Sequence, residues 1–360
     1  MVLGDKAYPR HESHITELTR LLVNQDSKSV IGHISGGLDL EMDEMAEVVG
    51  SIMEGNWSDD EIALLLNALR LKGETVAEVA GAAQAMRRHM TPVRTERTEL
   101  LDTCGTGGDA SGTFNISTAA ALVTAASGVA VAKHGNRSIT SKTGSADVLA
   151  ELGVNIEAPV STVEKCLNEL GICFCFAPQL HKSMKHVAAA RRKLGVPSIF
   201  NLLGPICNPA SAPYQLLGVG KPYLRDLLAD ALRMLGAQRA VVVSGADGLD
   251  EVTISDATHV SDVHNGQVES LVWHPGDFGM QVASKETMIV DGPVASAQLI
   301  RDILNGVAGP SRDIVVMNAA AALWVAGVSP TLNACAEKAH AAIDSGAAKD
   351  LLARLTRAAA

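Results

Sequence analysis

Asp102-Thr-Cys-Gly-Thr-Gly-Gly-Asp109 is followed by Asn115-Ile-Ser-Thr118 and then by Lys133-His-Gly-Asn-Arg137. Glycines, hydroxyls, an amide and a lysine in this order suit phosphate binding. Glycine has no Cβ, so the backbone N–H groups around Gly105, Gly107 and Gly108 can approach an anion closely. Thr113, Asn115, Ser117 and Thr118 stand just before Ala119–Ala126, an apolar segment that reads as a helix. Its positive N-terminal end would face whatever the loop holds. Lys133-His134 leaves a β-like run and enters a second glycine- and hydroxyl-rich loop through Ser145, with a helix expected near Ala146. Amides, hydroxyls and a lysine there suit a second phosphate. As a motif in isolation, that segment could equally be an ordinary polar loop.

Two other phosphate motifs fail at their discriminating positions. Gly105-Thr-Gly107-Gly-Asp-Ala110 satisfies the dinucleotide pattern in form, but that fold needs an acid after the next strand to hold a ribose hydroxyl. Lys133-His134 stands there instead. Gly220-Lys221 is followed by Pro222, not by the Ser or Thr of a P-loop.

Asp250-Glu251 follows the strand-like Val241–Ser244 through a Gly245–Gly248 turn. Adjacent carboxylates at that end of a strand suit Mg²⁺, a hard ion that keeps waters and bridges to phosphates; the alternative is a solvated loop. His181 and His186 are five apart, unlike a zinc-binding helix. Arg191 could grip a planar carboxylate through two parallel hydrogen bonds, or could be a surface arginine. Asn201-Leu-Leu-Gly-Pro205 and Asn208-Pro209 read as a sharp turn with a structural role.

The elements that must position these groups change character near residue 95. Met45, Val48, Val49, Ile52 and Met53 recur at helical spacing, and Gly55 ends that segment. Ser58-Asp-Asp-Glu61 and Thr75-Val-Ala-Glu78 are capping-box patterns, the first closed by Gly73 and the second broken by Pro92. From residue 99 short β-branched runs alternate with helices: Val129–Ala132, Ala146–Leu152, Val163–Leu170, Ile172–Phe176, Leu224–Leu235 and Ala240–Ser244. That alternation predicts a largely parallel sheet with helices on its faces. Asn318–Val325 reads as an Ala-rich, buried helix. The expected fold class is α/β, with a polar N-terminal extension over 1–27, a small all-helical domain over 28–95 and a larger α/β domain over 99–360. Part of 178–200 is expected to pack with the helical domain.

The 360 residues are 47% hydrophobic and 19% charged, a globular composition with enough chain for two domains. The net charge of -10 opposes a nucleic-acid scaffold, which carries a basic face. Cys104, Cys166, Cys173, Cys175, Cys207 and Cys335 lack C-x-x-C spacing and read as buried thiols of a reducing compartment. There is no signal-peptide pattern at the start and no run of about 18 apolar residues for a membrane span. A soluble, cytoplasmic protein is expected, without nucleic-acid or membrane partners.

Asp102–Asp109, Asn115–Thr118, Lys133–Ser145, Arg191-Arg192, Asn201–Pro205 and Asp250-Glu251 together resemble the anthranilate phosphoribosyltransferase family, from about residue 30 to near the C-terminus. The resemblance implies a small helical domain and a larger α/β domain, usually as a homodimer. It implies conversion of 5-phosphoribosyl 1-diphosphate and anthranilate to N-(5-phosphoribosyl)anthranilate and diphosphate in tryptophan biosynthesis, with Mg²⁺, two ions per subunit. Carried over by position, the phosphoribosyl diphosphate site would comprise Gly105, Gly108, Asp109, Thr113, Asn115, Ile116, Ser117, Thr118, Lys133, His134, Gly135, Asn136, Arg137, Ser138, Ile139, Thr140, Ser141 and Ser145. Anthranilate would meet Gly105, His134, Asn136, His181 and Arg191, and Mg²⁺ would meet Ser117, Asp250 and Glu251. Thr140 and Cys207 depart mildly from the family pattern. No general base is implied, because the aromatic amine is neutral and already nucleophilic. Two rivals are a pyrimidine nucleoside phosphorylase-like enzyme, opposed by Asp250-Glu251, and a non-enzymatic nucleic-acid-binding relative, opposed by the same pair and by the net charge.

Overall fold

The computed structural model describes residues 26–137 and 143–360. The chain begins with α1 (Ser27–Ser35), α2 (Met42–Met53), α3 (Asp59–Lys72) and α4 (Val76–Arg88). Both capping boxes form. At α3 the Ser58 N–H donates to Glu61 Oε2 at 2.9 Å, and the Glu61 N–H returns to Ser58 Oγ at 3.4 Å. At α4, Thr75 and Glu78 make the same exchange at 2.9 and 3.2 Å. Gly73 ends α3 at φ +91°, a conformation that favours glycine. Met45, Val49, Ile52, Leu65, Leu66 and Leu69 point inward and are buried.

The sheet follows, built from β1 (Leu100–Gly105), β2 (Ala130–Gly135), β3 (Ile172–Phe176), β4 (Tyr214–Gly218), β5 (Arg239–Gly245), β6 (Thr258–His264) and β7 (Gln267–Trp273). Its order is β3-β2-β1-β4-β5-β6-β7. β1 to β5 pair in parallel, and β6 and β7 add antiparallel pairs at one edge. The sheet is thus mostly parallel, as the alternating grammar predicts. The antiparallel β6–β7 hairpin departs from that grammar, and Asn265-Gly266 marks it: φ is +52° and +72°, as a two-residue hairpin turn requires.

Helices α5 (Ile116–Ala126), α6 (Ser145–Glu151), α7 (Val160–Leu170), α8 (Ala177–Leu180), α9 (Lys185–Leu194), α10 (Phe200–Leu203) and α11 (Tyr223–Met234) connect the parallel strands. After the hairpin come α12 (Gly292–Leu304), α13 (Pro310–Val325), α14 (Leu332–Asp344) and α15 (Ala347–Ala359). β5 shows why two cores exist. Its side chains alternate between faces: Val241 and Val243 join the core beneath α5, α13 and α14, while Ala240 and Val242 join the core shared with α2, α4 and α11. Val187 and Ala190 of α9 enter that second core, and Lys193 pairs with Asp60 of α3 at 2.5 Å. α13 is buried nearly all round, with alanines 319–322 fully enclosed. Among the described residues, no helix is long and apolar enough to cross a membrane.

Candidate active site

Strands β1 and β4 are neighbours whose following connections run to opposite sides of the sheet. In open α/β sheets, ligands bind outside the carboxyl ends of the strands at such a switch point. The glycine loop leaves β1 there. Gly107 and Gly108 adopt φ +65° and +84°, and Ala110 is held at φ +54°. The loop is tied to β4 by Thr106 N–H donating to the Gly218 carbonyl at 2.9 Å. A Cβ on Gly218 would collide with the Asp250 carbonyl oxygen, and one on Gly220 would lie 2.9 Å from the Asp109 nitrogen. Bare backbone at these positions lets the loops after β1, β4 and β5 converge.

Asp109 and Asp250 meet in that convergence, with Glu251 next in the chain. The Asp109 Oδ2 atom is buried without a donor, and it faces the Asp250 carboxylate. Asp250 Oδ2 lies 3.1 Å from where a Cβ on Gly105 would sit. Burial first, then Asp109, pushes Asp250 up to about 8, although the Gly107 N–H opposes this. Glu251 is pushed well above the carboxylate range by burial and Asp250, with Lys133 and the Ser117 N–H pulling the other way. Both side chains retain partial surface, but the dense surround removes most of the water that would stabilise their charge. Asp109 Oδ2 has no donor of its own, so facing the Asp250 carboxylate it requires a shared proton or a cation. Their hard oxygen donors, with the Ser117 hydroxyl nearby, fit a divalent hard cation. Among the described residues no closed set of three acidic, histidine or cysteine ligands forms. Such an ion would complete its shell from water and phosphate.

α5 begins at Ile116, three residues before the apolar segment read from sequence, because Asn115 caps it. The Asn115 Oδ1 atom accepts from the Thr118 N–H at 2.9 Å, and its Nδ2 donates to the Thr143 carbonyl at 2.7 Å. The Asn115 N–H is held by Ser296 Oγ at 2.9 Å. Ser117 and Thr118 are therefore in the first helical turn, and Ile116 is a core residue that can offer only its backbone. Thr113 is buried and accepts a hydrogen bond from Thr143 Oγ1 at its carbonyl, 2.8 Å.

Lys133 lies beneath the loop rather than in the open. Its ammonium donates to the Thr103 carbonyl at 2.5 Å and to Ser117 Oγ at 3.0 Å. Burial lowers its pKa, and Asp102, Cys104 and Glu251 counter that. Asp102 is fully buried and accepts the His134 N–H at 3.0 Å. Burial raises it to about 6 against the pull of Asn208, the His134 N–H and Lys133.

His134 and His181 form a buried pair with Nε2 atoms 3.1 Å apart. His134 Nδ1 donates to the Gly204 carbonyl at 2.9 Å, so its Nε2 accepts from His181. Burial, with His181 second, drives His134 down to about 3, and burial drives His181 to about 4. Both rings are neutral. The Asn201–Pro205 turn read as structural is therefore the piece that orients a site imidazole. Asn208 supports β2 as well, donating to the Ala132 carbonyl at 2.7 Å.

Arg191, in the last turn of α9, is half-buried and reaches Asn201 Oδ1 at 3.4 Å. Burial lowers its pKa, with no acidic neighbour contributing. It is a desolvated cation with no acidic partner among the described residues. Arg137 faces away from such a role: it pairs with Asp147 at 3.1 Å and Glu157 at 3.3 Å. Asn136 accepts the Arg137 N–H at 2.7 Å and its carbonyl accepts from Ser145 Oγ at 3.4 Å. Gly135 lies against Ser145 and Phe174, where a Cβ would collide. Ser138, Ile139, Thr140 and Ser141 lie outside the described residues. The structure thus brings together Gly105, Asp109, Ser117, Lys133, Asp250 and Glu251 in one group and His134 with His181 in another, while Arg137 is turned to acids. Sequence reading missed Gly218, took Gly220 only as a failed P-loop match, and took Gly204 and Asn208 only as a structural turn, since their signals are a glycine or an Asn-Pro pair.

This architecture and site define a glycosyl transferase with a helical bundle beside an α/β domain. Residues 97–349 match the model of the glycosyl transferase family, a/b domain, and residues 28–90 match its helical bundle domain. The anthranilate phosphoribosyltransferase of Rhodospirillum rubrum is 50% identical over 330 residues, 92% of this chain and 95% of its own length. That of Rhodopirellula baltica is 48% identical over 325 residues, 90% of this chain and 95% of its own. The crystal structure of the Thermus thermophilus anthranilate phosphoribosyltransferase superposes with a TM-score of 0.86 at 42% identity, covering 92% of this chain and 99% of that one. The Saccharomyces cerevisiae enzyme in complex with PRPP and Mg gives a TM-score of 0.79 at 26% identity, covering 97% and 98%. The chain belongs to the anthranilate phosphoribosyltransferase family.

Proposed function

We propose that this protein transfers the phosphoribosyl group of 5-phosphoribosyl 1-diphosphate to the amine of anthranilate, releasing diphosphate, in tryptophan biosynthesis. The observation that carries the reading is the donorless Asp109 Oδ2 facing the Asp250 carboxylate, with Glu251 beside it, under a glycine loop at the sheet's switch point. Asp250, Glu251 and Ser117 would hold Mg²⁺, two ions per subunit, and when bound it neutralises charge on the diphosphate. The glycine-loop amides and the N-terminus of α5 would bind phosphate oxygens and stabilise the anion as it leaves. Lys133 holds Ser117 in place from beneath.

Departure of diphosphate builds positive charge on the ribose. The neutral His134–His181 pair sets no further positive charge beside that carbon. Arg191 would recover its desolvation cost by gripping the anthranilate carboxylate. Catalysis is then positioning plus charge stabilisation, without a strong base. Gly105 and Asn136 would line the same approach, and the loop through Ser145 would close the phosphate end. We also read a polar extension over 1–27, a helical domain over 28–95, an α/β domain over 99–360, a cytoplasmic location, and a homodimer. Exposed Leu64 and Leu71, seven residues apart on α3, support self-association.

The test follows anthranilate fluorescence with phosphoribosyl diphosphate and Mg²⁺. The parent consumes anthranilate only with both present, and Asp250→Asn with Glu251→Gln loses turnover by orders of magnitude, in part recoverable by excess Mg²⁺. Superimposable Mg²⁺ curves for parent and double variant would remove the metal assignment.

A further inference from the structure

We infer that Asn318 is a positioning residue for the Asp250–Glu251 carboxylates, acting from α13 through the backbone of Val252; this rests on the metal role proposed for that pair. Asn318 is fully enclosed in an Ala-rich helix, where a polar side chain has no reason to be unless it is used. Each polar atom of its amide is used. Nδ2 donates to the Val252 carbonyl at 2.9 Å and to the Ile314 carbonyl at 2.9 Å. Oδ1 accepts the Val252 N–H at 3.0 Å. One side chain thus satisfies both backbone groups of a single residue, as a neighbouring strand would, in a segment that is not itself a strand. Val252 is itself fully buried, with no water to take over those bonds.

Glu251 is covalently next to that clamp, and Asp250 next to Glu251. The loop is also fixed on its other flanks. The Gly245 N–H donates to the Leu249 carbonyl at 2.8 Å, Asp247 accepts from Leu249 N–H at 3.2 Å and from Thr253 Oγ1 at 3.0 Å, and the Thr253 N–H donates to Thr258 Oγ1 at 3.0 Å. These bonds are made within the loop and its flanking strands β5 and β6. Among the described residues, Asn318 alone hydrogen-bonds Val252 to a helix of the opposite layer, so it restrains where the carboxylates stand relative to α5, which packs against α13. Two acids that repel each other and face Asp109 need such an external restraint to stay convergent.

The experiment compares the parent with Asn318→Leu, which keeps the branching at Cγ and helix compatibility and removes the three hydrogen bonds. The expected result is a rise of about 10–100-fold in the Mg²⁺ concentration giving half-maximal rate, the range found when groups supporting metal ligands are removed. Calorimetric affinity for Mg²⁺–phosphoribosyl diphosphate, measured without anthranilate, falls in parallel, while the anthranilate KM stays where it was. An unchanged Mg²⁺ response, or equal damage to the anthranilate KM, overturns the inference. If Asn318→Leu does not fold, hydrogen exchange in the parent decides: a Val252 amide protected like the amides of α13 supports the clamp, and one exchanging like an open loop overturns it. A parent that consumes no anthranilate would refute the reaction itself. A working parent with an indifferent variant would refute only the clamp.

Discussion

At the residue scale, the site is a set of groups held against their own preference in water. Arg191 is desolvated without an acid, and His134 and His181 are kept neutral by burial. Arg191→Ala should lower kcat/KM for anthranilate by about 10–100-fold, the equivalent of about 1.5–3 kcal/mol for a charge-assisted contact, with little effect on phosphoribosyl diphosphate. Kinetics with each substrate varied in turn distinguish the two. The histidines predict a pH effect on stability. Their folded pKa values, about 3 and 4, lie below the ordinary 6.5. Between those limits the unfolded chain binds protons that the native state refuses, so stability is complete above 6.5 and falls as the pH drops towards 4. His181→Gln should flatten that decline, read from denaturation midpoints between pH 4 and 7; a variant with the parent's slope would mean the ring is charged in the native state.

At the scale of elements, the glycine loop and the first turn of α5 form one anion cradle. Gly107 and Gly108 have positive φ and nothing lies near where a Cβ would sit, so the constraint there is backbone conformation and clearance for a ligand rather than internal packing. Gly107→Val or Gly108→Val should cost about 1–3 kcal/mol of strain and abolish turnover with the fold retained. Circular dichroism with turnover on the same sample tests it; near-parent activity in a folded variant would reduce the loop to a turn. Ser296 and Asn115 belong to this cradle, because the bond from Asn115 N–H to Ser296 Oγ anchors the cap of α5 to α12.

At the scale of the whole molecule, converging loops at a switch point concentrate like charge, and that has a stability consequence. Asp250 titrates near 8 in the native state, against an ordinary value of 3.8. Over that window the native state keeps a proton that the unfolded chain has released, so the ligand-free protein loses stability as pH rises through it. Asp250→Asn with Glu251→Gln should remove this decline, leaving the ligand-free variant at least as stable as the parent at pH 8 while inactive. Thermal midpoints at pH 5 and pH 8 without ligand measure it, and an identical decline in both proteins would place the titration elsewhere.

The sequence by itself determined the local grammar. Capping boxes at Ser58–Glu61 and Thr75–Glu78, the glycine run after β1 and the strand Ile172–Phe176 were legible because caps, turns and periodicity involve neighbours within a few residues. Linear order also marked the phosphate loops and the Asp250-Glu251 pair as chemistry. Only the tertiary structure decided that Asp109 faces Asp250, that Gly204 orients His134, that Lys133 acts from beneath, and that Asn318 reaches Val252 across 66 residues. Such partners carry no local signal. They meet because a parallel sheet delivers the ends of sequence-distant strands to one edge, and burial there turns ordinary side chains into desolvated, strongly coupled groups.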